Sequence, residues 1–212
     1  MHFFSYDSKF SQILLKISCS CWLNVLWFAC SLPVVTLGAS TTALYDVSLR
    51  IVKDRETHIT KEFFTAFRKN FRQATKLWLI MLGAGIFLVF DLLVVSRLRS
   101  ASSGTPAVLW TLILAVLIAA AIVYAIILTY VFPLVAYFEN NDWAMIKNAF
   151  LIGTRYLFST ILIIAIHFAM FWLIVAIFTP LAIFGEGMCA LLSSFIFAAV
   201  FRACVYTSGE EN

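Results

Sequence analysis

Residues 108–137 read VLWTLILAVLIAAAIVYAIILTYVFPLVAY, a stretch without one charged side chain and longer than a buried strand or core helix of a soluble domain. At a 1.5 Å rise per residue, about 20 apolar residues cross the ~30 Å hydrocarbon layer of a bilayer as a helix. Pro133 falls near the end of the run, where neighbouring helices can satisfy the carbonyl that a proline leaves unbonded. Outward from this segment, further apolar runs cover residues 17–37, 77–96, 156–178 and 188–206. The chain is 63% hydrophobic and 12% charged, against roughly 25% charged in an ordinary soluble domain. The predicted fold class is therefore all-α: a polytopic helical membrane bundle of five clear transmembrane helices, with residues 1–212 forming a single integral membrane domain in the lipid bilayer.

The connections add one more membrane element. Ser31-Leu32-Pro33 ends the first run, because proline lacks the N–H that would continue the helix. Gly38-Ala39-Ser40-Thr41-Thr42 then opens a short helix that reaches about Val52. Carrying Asp46 and Arg50 in ~22 Å of length, it is too polar to face lipid and is expected inside the bundle as a sixth membrane element. From Lys61 to Arg72, Phe63, Phe64, Phe67 and Phe71 share one helical face, and Lys61, Arg68, Lys69 and Arg72 supply the other. That pattern predicts an interface-lying helix running directly into the 77–96 span, its basic residues on anionic lipid headgroups at about 1 kcal/mol each. A cytoplasmic partner is the alternative use of this face. Residues 97–106 read as a turn, with Thr105 capping a helix that Pro106 begins. A second turn at residues 139–142 precedes a mildly amphipathic segment, 143–154. Pro180 and a Gly185-Glu186-Gly187 bend are expected to separate the last two spans.

Charge sets the expected orientation. If the short helix returns the chain to its starting side, all of the 15 Lys and Arg except Arg97 and Arg99 fall on one face, which the positive-inside rule makes cytoplasmic. If it does not, Lys9 and Lys16 join them outside, a poorer separation. The connection from Arg50 to Lys76 and the C-terminus are therefore expected on the cytoplasmic side of the membrane. The net charge of +4 sits beside apolar segments rather than on a soluble face, so nucleic acid is not an expected partner. Five cysteines, an odd number inside or beside apolar runs, give no disulfide framework. Cys19 and Cys21 would point about 200° apart on a helix, so they do not read as a metal pair. The first run is read as a retained span, since no small-residue cleavage site follows it.

No serine elbow, phosphate-binding loop, zinc-binding His-Glu-x-x-His or dinucleotide glycine pattern occurs, so the expectation is a non-enzyme without cofactor, catalytic residue or metal. Polar residues at membrane depth are then the candidates for function or packing: Asp46, Arg50, Asp91 and His167. Asp46 and Arg50, four apart, read either as a local ion pair or as a docking site for a partner or an anion. Asp91 lies about 9 Å before the end of its span at Arg97, either as a proton or cation relay or as a near-interface carboxylate bonded to a neighbouring helix or water. His167, near mid-membrane, is either a functional titratable group or a neutral ring donating to a backbone carbonyl, and a depth difference of about 10 Å separates it from Asp91. The small residues 38–42 suit an anion at a helix N-terminus or the close packing of two helices.

The run Leu23-Asn24-Val25-Leu26-Trp27 and the stretch SLPVVTLGASTTALY over residues 31–45 resemble the YesL-like bacterial membrane proteins, a family built on a domain of unknown function. Phe63-Phe64-x-x-Phe67-x-x-Asn70-Phe71 and Lys147-Asn148-Ala149 resemble the same family, and the likeness extends over nearly the whole chain. The resemblance implies no activity and no catalytic residue. Through gene neighbours that encode carbohydrate ABC transporters and glycan-degrading enzymes, it implies a non-enzymatic accessory of carbohydrate uptake with ABC-transporter permease subunits as partners. The alternative is a small secondary transporter or permease acting on its own.

Overall fold

The computed structural model describes residues 9–53, 58–176 and 182–209, so Pro180 lies outside the described residues. Among them there are seven α-helices and no strand: α1 (Lys9–Ser31), α2 (Leu37–Val52), α3 (Ile59–Ala101), α4 (Thr105–Tyr137), α5 (Asp142–Arg155), α6 (Leu157–Ala176) and α7 (Ala182–Gly209). Five of these, α1, α3, α4, α6 and α7, are long and apolar enough to cross a membrane. Their outward surfaces carry large apolar groups that water would not tolerate together: Phe87 on α3 is 67% exposed, Val116 on α4 68% and Phe158 on α6 82%. The chain is an all-α, multi-pass membrane bundle.

The short helix α2 sits at the centre, packed against α3, α7, α4 and α1. Pro33 cannot continue α1, and the chain turns through a single 3₁₀ turn at Val34–Thr36. Thr36 closes that turn, its N–H donating to the Pro33 carbonyl at 2.8 Å and its hydroxyl lying 2.6 Å from the carbonyl of Cys30. From there Gly38, Ala39, Ser40, Thr42, Ala43, Leu44, Tyr45, Val47, Ser48, Leu49 and Ile51 are all buried. Small side chains allow this, as helices in lipid associate through close packing rather than through a hydrophobic drive. At Gly38 the fit is tightest: a Cβ there would stand 2.5 Å from both the Ala74 carbonyl oxygen and the Trp78 Cβ of α3. Residues 38–42 are thus used for close helix packing.

Helix α3 departs from the sequence expectation in three ways. It is one continuous helix of 43 residues, about 65 Å long and twice the ~30 Å hydrocarbon layer, so the basic stretch at its start is coaxial with the span rather than a separate helix lying flat on the surface. Its aromatic face is also taken up within the protein: Phe63 is fully buried, with Ala66, Ala74 and Leu77 beside it in the core, while Phe64 and Phe71 remain exposed. Lys61, Arg68, Lys69 and Arg72 are exposed, as an outward polar face requires. At its far end α3 runs on past Arg97 to Ala101, where a turn was expected. The turn itself is shorter and depends on Gly104, which caps α4 with a φ of +68°, a left-handed conformation that favours glycine; Thr105 is the first helical residue rather than the cap.

Two ion pairs hold α3 to the α4–α5 turn: Lys69 Nζ to Glu139 Oε1 and Lys76 Nζ to Asp142 Oδ2, each at 2.6 Å, with Gln73 Nε2 donating to the Asn140 carbonyl between them at 2.7 Å. The lysines hold both carboxyls below the usual carboxylate range, chiefly by donating hydrogen bonds to them. A depressed folded-state pKa means that the contribution is present above the unfolded value and disappears as pH falls through the folded one. Asp142→Asn should therefore lower the apparent melting temperature by about 1–2 °C at neutral pH, with the difference from wild type closing below about pH 4. A difference that persists at pH 2 would mean that the ion pair is not its source. The packing at Gly38 predicts a larger effect. Gly38→Val should cost about 1–3 kcal/mol or abolish the folded species on size-exclusion chromatography, whereas Gly83→Ala, with open space around the new methyl, should be neutral or slightly stabilising.

Candidate functional site

Between α2, α3 and α4 on one side and α6 with the start of α7 on the other lies a cavity of about 590 Å³. Its wall is mostly aromatic and aliphatic, including Trp27, Leu37, Trp78, Phe132, Pro133, Ile163 and Phe171. Two indoles are fixed by their N–H groups, Trp27 Nε1 donating to Thr41 Oγ1 at 3.1 Å and Trp78 Nε1 to the Val34 carbonyl at 2.8 Å. Pro133 removes the helical bond to the Thr129 carbonyl, and both residues line the cavity.

Three polar side chains from three helices meet on this wall: Tyr45 of α2, His167 of α6 and Glu186 of α7. His167 Nδ1 lies 2.9 Å from the Ile163 carbonyl, one turn back. A carbonyl only accepts, so Nδ1 carries the proton, and in the neutral ring Nε2 is an acceptor. Tyr45 Oη stands 3.4 Å from that Nε2 and donates to it, while Glu186 Oε1 is 3.8 Å away on the other side. A protonated ring would instead turn its Nε2–H toward the Glu186 carboxylate. A carboxylate, an imidazole and a phenol thus cluster on the wall of a mostly apolar chamber, an arrangement suited to holding a polar group or exchanging a proton.

The stretch around Glu186 also corrects the sequence reading. Gly185-Glu186-Gly187 was expected as a bend before the last span, but it lies inside α7. Its glycines serve contact rather than bending. A Cβ on Gly187 would collide with the Ser20 carbonyl oxygen of α1 and lie 2.8 Å from the Asn24 Cβ, and one on Gly185 would lie 2.8 Å from Ile174 Cδ1 of α6. The Gly187 N–H donates to the buried Asn24 Oδ1 at 2.8 Å, which ties α7 to α1 one residue from the carboxylate.

Of the residues singled out from sequence, only His167 belongs to this cluster. Asp46 and Arg50 pair on α2, Nε to Oδ2 at 2.9 Å, and the same guanidinium reaches Glu62 of α3 at 3.6 Å. They join two helices at the end of α2 away from Gly38. Asp91 is partly exposed on α3, does not line the cavity, and has no hydrogen bond or ion pair among the described residues. With α3 extended to Ala101, it stands about 15 Å from the helix end, deeper than its distance from Arg97 implied. Tyr45 and Glu186 were missed. The available signal for Glu186 was an acidic residue embedded in the apolar run LAIFGEGMCALL, which the flanking glycines disguised as a turn. Among the described residues no cluster of three His, Cys, Asp or Glu is arranged to hold a metal ion.

Residues 21–92, covering the second half of α1, all of α2 and α3 as far as Leu92, match the family described as "Protein of unknown function, DUF624". Over 195 residues the chain is 24% identical to the "Uncharacterized protein YesL" of Bacillus subtilis (strain 168), a match that covers 90% of this chain and 88% of the relative. The chain resembles the YesL-like proteins of the DUF624 family. No solved structure matches it. The family match includes Asn24, Tyr45, Asp46 and Arg50, whereas His167 and Glu186 come from beyond it.

The hydrogen bond at Nδ1 fixes a measurable property of the ring. In a protein whose other two histidines are replaced, labelled with ¹⁵N-histidine and placed in lipid nanodiscs, neutral His167 should show the Nδ1–H tautomer. An Nε2–H tautomer would sink the assignment of Tyr45 as donor.

Proposed function

We propose that the protein is a non-enzymatic accessory of solute uptake in the bacterial cytoplasmic membrane, which binds a small ligand in the Tyr45–His167–Glu186 cavity and docks against a permease. The observation that carries the ligand-binding part is the cavity: about 590 Å³ of mostly apolar space with Tyr45, His167 and Glu186 clustered on its wall. This is the form of a recognition site, in which apolar walls supply contact and a few placed polar groups fix orientation. Ionisable side chains are expensive at membrane depth, and their presence on a cavity wall supports a functional use. Carbohydrate as the solute, and ABC-transporter permease subunits as the partner, follow from the family resemblance. The exposed Lys61, Arg68 and Arg72 on the start of α3 would meet anionic headgroups on the cytoplasmic side, with Lys69 engaged by Glu139.

A second reading, a small secondary transporter working alone, is favoured by the His167–Glu186 juxtaposition, since a carboxylate beside an imidazole can carry a proton with a solute. One pair of experiments separates the two. Affinity purification of the tagged protein in mild detergent, from cells grown on glycans, should recover permease subunits in near-stoichiometric amount if the accessory reading holds. The purified protein alone in proteoliposomes should then be inert to labelled sugars under an imposed proton gradient. Gradient-driven uptake by the protein alone, lost in Glu186→Gln, would replace the accessory by the transporter.

A further inference from the structure

The geometry of the cavity narrows its ligand, given the reading above that the cavity binds one. We infer that it takes a lipophilic amine, with a single ammonium head against Glu186 and the Tyr45 oxygen and an apolar body along Trp27, Trp78 and Phe171.

The head end is a set of hydrogen-bond acceptors. Glu186 Oε1 is 3.8 Å from His167 Nε2, beyond the ~2.8 Å of a charge-assisted hydrogen bond, so the carboxylate keeps acceptor capacity toward the cavity. The Nδ1 proton of His167 is engaged by the Ile163 carbonyl at 2.9 Å, which leaves Nε2 of the neutral ring to accept the Tyr45 O–H and so to fix the phenol in place. The oxygen of Tyr45, 3.4 Å from that nitrogen, has lone pairs of its own. Two acceptors, one of them a carboxylate, are complemented by a cation that bears N–H groups.

The rest of the wall suits the body. Indole and phenyl faces give an aryl or alkyl body a broad apolar surface to pack on. The same wall is mostly apolar, so a sugar filling the chamber would leave many hydroxyls without partners, whereas an aryl or alkyl body would not. A zwitterionic phospholipid head fits less well than a simple amine, because its phosphate would bring a second anion beside Glu186.

Binding calorimetry on the full-length protein in phosphatidylcholine nanodiscs at neutral pH tests this with three probes of nearly the same shape: naphthylethylamine, naphthylethanol and naphthylacetate. The amine should bind about tenfold or more tighter than the alcohol, with the acetate weakest. Glu186→Gln should bring the amine down to the affinity of the alcohol and leave the alcohol unchanged. Because the ranking is measured on the wild-type protein, it does not depend on how well the variant folds. If the alcohol or the acetate binds as tightly as the amine and Leu128→Trp, which fills the cavity, abolishes that binding, the amine class is wrong and the cavity remains a ligand site. Binding of none of the three overturns both the amine class and the cavity reading. Amine binding that survives both Glu186→Gln and Leu128→Trp overturns the assignment to this site.

Discussion

The arrangement depends on the close approach of α2 to α3 at Gly38. Lipid is as apolar as the helices it surrounds, so a bundle in a membrane is held by packing and by polar contacts rather than by expulsion of apolar surface from water. A 16-residue helix carrying Asp46 and Arg50 could not lie against lipid without stranding charge. It is instead enclosed by four helices, and its small residues let them come near enough for van der Waals contact on several sides at once. The remaining polarity is dealt with at its far end, where Arg50 lies between Asp46 and Glu62.

That central packing also leaves the cavity. Where α2 presents glycine, alanine and serine, its neighbours close in. Where the wall is built from Trp27, Trp78, Phe132 and Pro133, bulky and rigid side chains hold the backbones apart. Helix α6 packs mainly on α7 and touches α4 only sparsely, so it does not fill the gap. The chamber is therefore a consequence of residue size: small side chains on one face of α2, large ones around its opening.

Much of this is written plainly in the chain and some is not. The five spans are legible because a run of some 20 apolar residues has one common fate in a membrane protein. The burial of α2 is legible too, since a short polar helix among such spans has nowhere else to go. The continuity of α3 is harder, because its amphipathic start has the pattern of a surface helix and only the burial of Phe63 and Ala66 against neighbours shows that its apolar face belongs to the bundle. The site was least legible. Tyr45, His167 and Glu186 lie on three separate helices, and no local periodicity connects residues that far apart in sequence. Asp91 drew attention by its charge, although the structure leaves it away from the cavity.

The misreading of Gly185-Glu186-Gly187 shows why composition alone misleads at such a point. Glycine signals a turn when nothing else explains it, yet within a bundle it also marks where two helices touch. Successive residues on a helix point about 100° apart, so the two glycines meet different neighbours, Gly185 facing α6 and Gly187 facing α1. Helix α7 is thereby seated against both, and the Gly187 N–H bond to Asn24 fixes its position along α1. The residue between the glycines is then held at a set place beside α6, which is where His167 stands. A bulkier residue at either flank would push α7 away and carry the carboxylate out of reach of the imidazole. The two glycines and the glutamate form one device, in which the packing of the backbone places the charge.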